Sequence, residues 1–246
     1  PSKYLRKWFK DYKINYIDHH LSHAAAGYYT SPYKEAAILV IDGIGEWDVL
    51  TLWHGKGENI KKLFSIKYPH SLGLFYSAAT QAIKLKPCEE EYILMGMSGW
   101  GKDKHWKQLE EDLFKTDELL KLKYNLHKGL GSYMDDWEQF DVAASTQTLT
   151  EHILDRIVKY VHKVLPNVEN LVYMGGCALN CVANGKILPQ YYNNIWIMPN
   201  PGDAGSSLGA AAALYGKHIK WKGPFLGNEI KGKYPVKKAL KHLLKG

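Results

Sequence analysis

The sequence predicts an α/β fold, a mixed sheet with flanking helices, and three observations carry that expectation. The apolar strings AAILVIDG, EWDVLTLWHG and KKLFSIKYP are separated by GIG and KGEN, which reads as a three-stranded meander joined by tight turns. Two later apolar strings, LVYMGG and NIWIMPN, each lead into a helical pattern, as strands do in layered α/β folds. Between meander and later strands runs the longest helical pattern, Phe140 to Leu165, closed by Pro166.

In chain order, residues 1–16 read as a short amphipathic helix leading into a strand, KINYID. Asp18 to Tyr29 has helical composition, with an acidic cap and several alanines, and stops at Ser31-Pro32. The meander follows. SLGLFYSAATQAIKL has helical spacing, Gly101 to Lys123 reads as a charged, exposed helix, and residues 124–140 are irregular and aromatic. After the long helix and the strand LVYM comes a glycine turn from which CALN starts a helix. DAGSSLGAAAALYG, dense in small residues, is a last helix opened by Asp203.

Composition narrows the function classes. Of 246 residues, 46% are hydrophobic and 23% charged, the balance of a globular protein. No apolar run approaches the ~18 residues of a membrane span. The basic N-terminus PSKYLRKWFKDYK lacks the apolar stretch of a secretory signal, so a cytoplasmic location is expected. Cys88, Cys177 and Cys181 are too few for a disulfide framework, and the C-x₃-C spacing of the last two has no second pair to complete a zinc site. The net charge of +7 belongs to a tail: Lys217 to Gly246 holds nine lysines against Glu229 alone. A solvated terminal segment is the simpler reading, and nucleic acid is a weakly supported partner.

Four short motifs carry chemistry. His19 and His23 stand four apart on a predicted helix, so their imidazoles share a face, as two ligands of one divalent metal must. The same spacing also serves ordinary core or surface histidines. His20 points elsewhere and reads as a supporting or substrate-facing residue. Asp42 ends an apolar strand before Gly43, Ile44, Gly45 and Glu46; a carboxylate there serves a metal or phosphate, or else caps its own turn. Gly175 and Gly176 sit at a strand-to-helix junction that aims backbone N–H groups at an anion, with Asn180 and Asn184 four apart beyond it; a plain turn is the alternative. PNPGDAGSSLG repeats that arrangement, and Asp203 is placed to cap its helix or to face a ligand at the carboxyl edge of the sheet.

Together the strings DHHLSHAAAGYYTSP, LVIDGIGE, PHSLGLFYSAAT, EEYILMGM, DVAASTQ, MGGCALNCVANGKI and MPNPGDAGSSLGAA, running from Asp18 to Leu214, resemble the O-carbamoyltransferase family of nodulation protein U and the antibiotic carbamoyltransferases. The resemblance implies an actin/Hsp70/sugar-kinase-like fold, with one lobe complete and the other partial. It further implies a two-step reaction. A YrdC-like domain or subunit joins carbamoyl phosphate and ATP into carbamoyl-adenylate, and the actin-like domain passes the carbamoyl group to an acceptor hydroxyl. Matched motif by motif, His19, His23, Asp42 and Asp203 hold a divalent metal, Fe2+ first, with Mn2+ or Zn2+ as alternatives. Gly175, Gly176, Asn180 and the turn at Gly205 hold the adenylate, with Asn184 on the same face as Asn180. Gly43, Gly45 and Glu46 line the phosphate or acceptor side. His20 and His70 are the candidates for a general base. The acceptor is a hydroxyl-bearing small molecule, a saccharide or a modified nucleobase.

The chain departs from the family pattern in places. Only 18 residues precede His19, where the family has a long segment; GPFLGNEI resembles the start of a connector toward a YrdC-like domain that does not follow; and Ile93 stands where the family has a lysine after the glutamate matched by Glu91. The expected division is residues 1–33 as a remnant of the first lobe, 34–200 as the second lobe, and 201–246 as a return helix and basic connector. A fragment or a subunit of a split enzyme is expected, one that does not make carbamoyl-adenylate alone. A silent assembly lobe, a tRNA threonylcarbamoyl-type enzyme and a hydrogenase-maturation carbamoyltransferase are the competing functions.

Overall fold

The computed structural model describes Lys7 and residues 13–225. The elements are α1 (His19–Thr30), β1 (Glu35–Gly45), β2 (Asp48–Lys56), β3 (Asn59–Lys67), α2 (Leu72–Ala82), α3 (Glu91–Met97), α4 (Trp106–Leu113), α5 (Gln139–Val164), β4 (Asn170–Met174), α6 (Cys181–Ile187), β5 (Asn194–Trp196) and α7 (Asp203–Tyr215). One mixed sheet has the order β3-β2-β1-β4-β5. β1, β2 and β3 form the antiparallel meander, while β4 pairs parallel to β1 and β5 parallel to β4.

The central strand β1 explains the layering. Ala36 to Ile41 are all fully buried, so both faces of the sheet are covered. Because side chains alternate, Ala37, Leu39 and Ile41 enter a large core with α2, α4, α5 and α6, and Ala36, Ile38 and Val40 enter a smaller one under α1 and α7. β4 divides the same way, Leu171 and Tyr173 to the large core, Val172 and Met174 to the small one. Thus α1 and α7, from the two ends of the described chain, cover one face of the sheet together. Among the described residues no helix is long and apolar enough to cross a membrane.

Several expectations are corrected. The helix over residues 1–16 lies largely outside the described residues, and KINYID forms no strand: it runs irregularly with Tyr16 exposed, unpaired with any strand of the sheet. The tail from residue 226 onward is likewise outside them. The helix expected over 101–123 shrinks to α4, and its inner side is not solvent-facing, since Leu109 and Leu113 are buried. Its start is blocked because the Lys102 and His105 N–H groups donate to Asp141 Oδ1 and Ser145 Oγ on α5. Its end is blocked because Phe114 turns extended, packs edge-on against Phe75 at 5.2 Å and bridges to Leu122. The first hairpin turns at Glu46–Trp47, not at GIG, for β1 continues through Gly45 with a register shift after Ile41. CALN belongs to a 3-10 turn, Gly176–Leu179, and the α-helix begins after Asn180.

Candidate metal and ligand site

Strand alternation places Asp42. As the next even-numbered position after Ala36, Ile38 and Val40, its side chain points to the face covered by α1 and α7. There α1 presents His19 and His23 one turn apart, with their Nε2 atoms 3.0 Å from each other. α7 approaches because Gly209 lies against α1: a Cβ there would stand 1.8 Å from the Ser22 carbonyl oxygen. That contact brings Asp203, the first residue of α7, to the same point. The N-cap is Gly202, and the Asp203 carboxylate makes no cap hydrogen bond, so the capping role weighed from sequence is not what this side chain does.

One ligand atom from each of His19, His23, Asp42 and Asp203 lies within 4.8 Å of the others. His19 Nε2 is 3.0 Å from Asp42 Oδ2 and 3.2 Å from Asp203 Oδ1, and His23 Nε2 is 3.4 and 3.3 Å from the same two oxygens. Adjacent ligands of an ion held at ~2.1 Å stand roughly 3.0–3.4 Å apart. Two imidazoles and two carboxylates at this spacing therefore fit a divalent cation of the iron, manganese or zinc kind. The site is closed from the protein side and open on the other: the His23 side chain is fully buried, that of Asp203 is 76% exposed.

The electrostatics follow from these contacts. Its hydrogen bond to Asp42 raises the His19 pKa against the opposing effect of burial. Burial would push the Asp42 carboxyl up, but hydrogen bonds from His19 and His23 hold it well below the usual carboxylate range. Asp42 Oδ1 accepts from the N–H groups of Gly43 (2.9 Å) and Gly176 (3.1 Å), which ties the carboxyl ends of β1 and β4 together and leaves Oδ2 to the histidines. His20 departs from the quartet. Its Nδ1 is 2.9 Å from Thr51 Oγ1, which accepts from Trp53 Nε1, and burial lowers its pKa to about 4.

A cavity of about 730 Å³ opens beside the quartet, and Asp42, Gly43, Gly176, Asp203, Glu91 and His127 are among the residues that line it. That size suits a drug-sized or nucleotide-sized ligand. Of the residues expected to bind, Gly43, Gly176 and Asn180 line it. Gly175 takes φ +93° and donates its N–H to the Pro201 carbonyl, joining β4 to the loop before α7. Gly45 packs on the His19 and His20 rings, and Glu46 holds the left-handed turn position. Asn184 is buried with Nδ2 donating to the Ala178 carbonyl, and Gly205 is buried in the first turn of α7 against the Asn200 carbonyl. His70 is not among the cavity residues; the charges nearest it are Lys121, Glu118 and Lys115. The sequence reading assigned no role to Gln147 or Glu91, although both stand in strings it singled out, DVAASTQ and EEYILMGM.

Comparisons with known proteins agree with this architecture. Residues 3–212 match the family model described as "Carbamoyltransferase N-terminus". The chain is 37% identical over 226 residues to the uncharacterized protein sll1178 of Synechocystis sp., covering 82% of this chain and 37% of that protein. It is 28% identical over 217 residues to nodulation protein NolNO of Sinorhizobium fredii, covering 82% and 31% respectively. Nodulation protein U of Bradyrhizobium diazoefficiens is 36% identical over 75 residues, 29% of this chain and 13% of that one. Full-length HypF, in a crystal structure of its phosphate- and nucleotide-bound form, is similar in fold, with TM-score 0.50 and 14% identity over 90% of this chain and 45% of HypF. The chain thus spans about a third of the length of the curated relatives it matches.

Proposed function

Because this chain belongs to the carbamoyltransferase N-terminus family, we propose that it carries the transfer half of a metal-assisted O-carbamoyltransferase. The donor is carbamoyl-adenylate, made from carbamoyl phosphate and ATP by a YrdC-like domain or subunit, and the acceptor is a hydroxyl on a small molecule, saccharide or modified nucleobase. The new bond joins the acceptor oxygen to the carbamoyl carbon. The carbonyl carbon–phosphate oxygen bond breaks, its electron pair leaves with AMP, and the hydroxyl proton is released. The observation that carries this reading is the convergence of His19, His23, Asp42 and Asp203 at the carboxyl ends of β1 and β4, beside a cavity of nucleotide size. Ligands of open α/β sheets gather at that edge. The same order, a meander joined to parallel β4 and β5, supports reading residues 34–200 as one actin-like lobe with α1 and α7 clasped onto it.

The chain's own residues divide the work. His19 and His23, fixed on one helix face, and Asp42, fixed by two backbone N–H groups, form a preorganised set; Asp203 closes it from α7. A divalent ion held there would supply Lewis-acid polarisation of the carbamoyl group. Gly176 lines the cavity beside Asp42, where the leaving phosphate would sit, with its own N–H given to Asp42 Oδ1. His20, kept with His70 as a candidate general base, is held on the hairpin by the contact of its Nδ1 with Thr51.

Supplying the chain with carbamoyl-adenylate, Fe2+ and a panel of hydroxyl acceptors, and reading products by mass spectrometry, tests the assignment. Gain of one carbamoyl group, lost in His23→Ala, is the expected result. Metal-free protein after anaerobic purification and no product with any acceptor would favour a silent assembly lobe instead.

A further inference from the structure

A polar chain runs from the cavity wall, at Tyr76 and Asn180, into α5. The Tyr76 hydroxyl donates to Gln147 Oε1 at 2.9 Å, and Asn180 Nδ2 donates to the same oxygen at 2.9 Å. Gln147 Nε2 in turn reaches Asn180 Oδ1 at 3.2 Å and Glu151 Oε1 at 3.1 Å, and Glu151 pairs with Lys186 of α6. Asn180 Oδ1 also accepts from the Ala183 N–H, capping α6. Gln147 and Glu151 are buried on α5. Both acceptor sites of Asn180 Oδ1 and one N–H of its Nδ2 are therefore committed within the protein. A ligand reaching Oδ1 would have to displace one of these bonds.

From this we infer that Gln147 is a positioning residue for Asp42, acting through Asn180 and the 3-10 turn Gly176–Leu179; the inference rests on the metal-site reading above. The path is continuous. Gln147 clamps Asn180, Asn180 ends the turn, Asn184 holds it from below through the Ala178 carbonyl, and Gly176 at its start donates to Asp42 Oδ1. That bond orients Asp42 so that Oδ2 faces His19 and His23. Hydrogen-bond partners of a ligating carboxylate fix its aim, and their loss costs metal affinity. Asn180, expected from sequence to hold the adenylate and part of the cavity lining, thereby also belongs to the support of Asp42.

Gln147→Leu keeps the bulk and removes the clamp; Ile157→Val, a buried change in the same helix, serves as a control for general destabilisation. In the metal-free chain, hydrogen exchange of the Gly176 amide, followed by NMR, is expected to quicken in Gln147→Leu and not in the control. Affinity for Co2+, used as the probe and read from its visible absorption, is expected to fall about tenfold. Asn180→Asp retains the cap of α6 but sets a charged oxygen against Gln147 Oε1, so it too breaks the clamp and tests the path if Gln147→Leu does not fold. Unchanged Gly176 exchange in the variant that folds, or an equal change in Ile157→Val, overturns the inference. A wild-type chain that binds no Co2+ while Gly176 exchange responds as expected removes the metal reading and leaves the positioning of Asp42 standing.

Discussion

Asp42 and Asp203 offer similar oxygens to the same two imidazoles, yet the structure burdens them differently. Asp42 is 8% exposed and satisfies the Gly43 and Gly176 N–H groups as well as the histidines. Asp203 is largely exposed and caps nothing. Asp42→Ala leaves two backbone donors and two imidazoles without their acceptor, and loss of a buried partner of this kind costs about 1–3 kcal/mol. Asp203→Ala removes a surface group, for which changes stay within about 0.5 kcal/mol. Both variants are expected to lose the bound divalent ion, but urea denaturation of the metal-free proteins should separate them, with only Asp42→Ala shifting its midpoint downward. Equal midpoints would mean that Asp42 is not the structural hub its contacts describe.

At the scale of elements, the quartet depends on how closely two helices approach. α1 and α7 meet where Gly209 faces the Ser22 carbonyl, with the Ala26 methyl 3.0 Å from where a Cβ would stand. Neither obstacle is a flexible side chain, so a larger residue must push the helices apart. Gly209→Val is expected to cost about 1–3 kcal/mol as overpacking and to draw Asp203 away from His19 and His23. The readout is metal content beside thermal unfolding: full occupancy in a destabilised protein would show that the Asp203 carboxylate follows its helix poorly. The elements themselves were legible in sequence where periodicity and burial agree. The meander, the long helix α5 and the alanine-rich α7 all follow their patterns. Legibility failed where tertiary contacts overrule local preference, as at Lys102 and His105, held by α5, and at Phe114, drawn into an aromatic contact with Phe75. α3 was not anticipated because seven residues give too few turns for a periodicity to declare itself.

Across the whole molecule the quartet joins residues from 19 to 203, three elements that share no local sequence. Its members could be singled out in sequence because each stands in a recognisable string. Gln147 could not, because it lies mid-helix and its role exists only through Asn180, 33 positions later. A ligand that binds such a junction binds the folded chain and not the unfolded one, since unfolding separates α1, β1 and α7. Linkage then sets the size of the effect: at a free ion concentration near 100 times Kd the folded state gains about 2.7 kcal/mol. Addition of Fe2+ under anaerobic conditions, or of Co2+, should therefore raise Tm of the wild-type chain and leave Asp203→Ala unmoved, although the two metal-free proteins unfold at nearly the same temperature. A shift of equal size in both would place the ion elsewhere on the protein, and no shift in either would deny the quartet its ion.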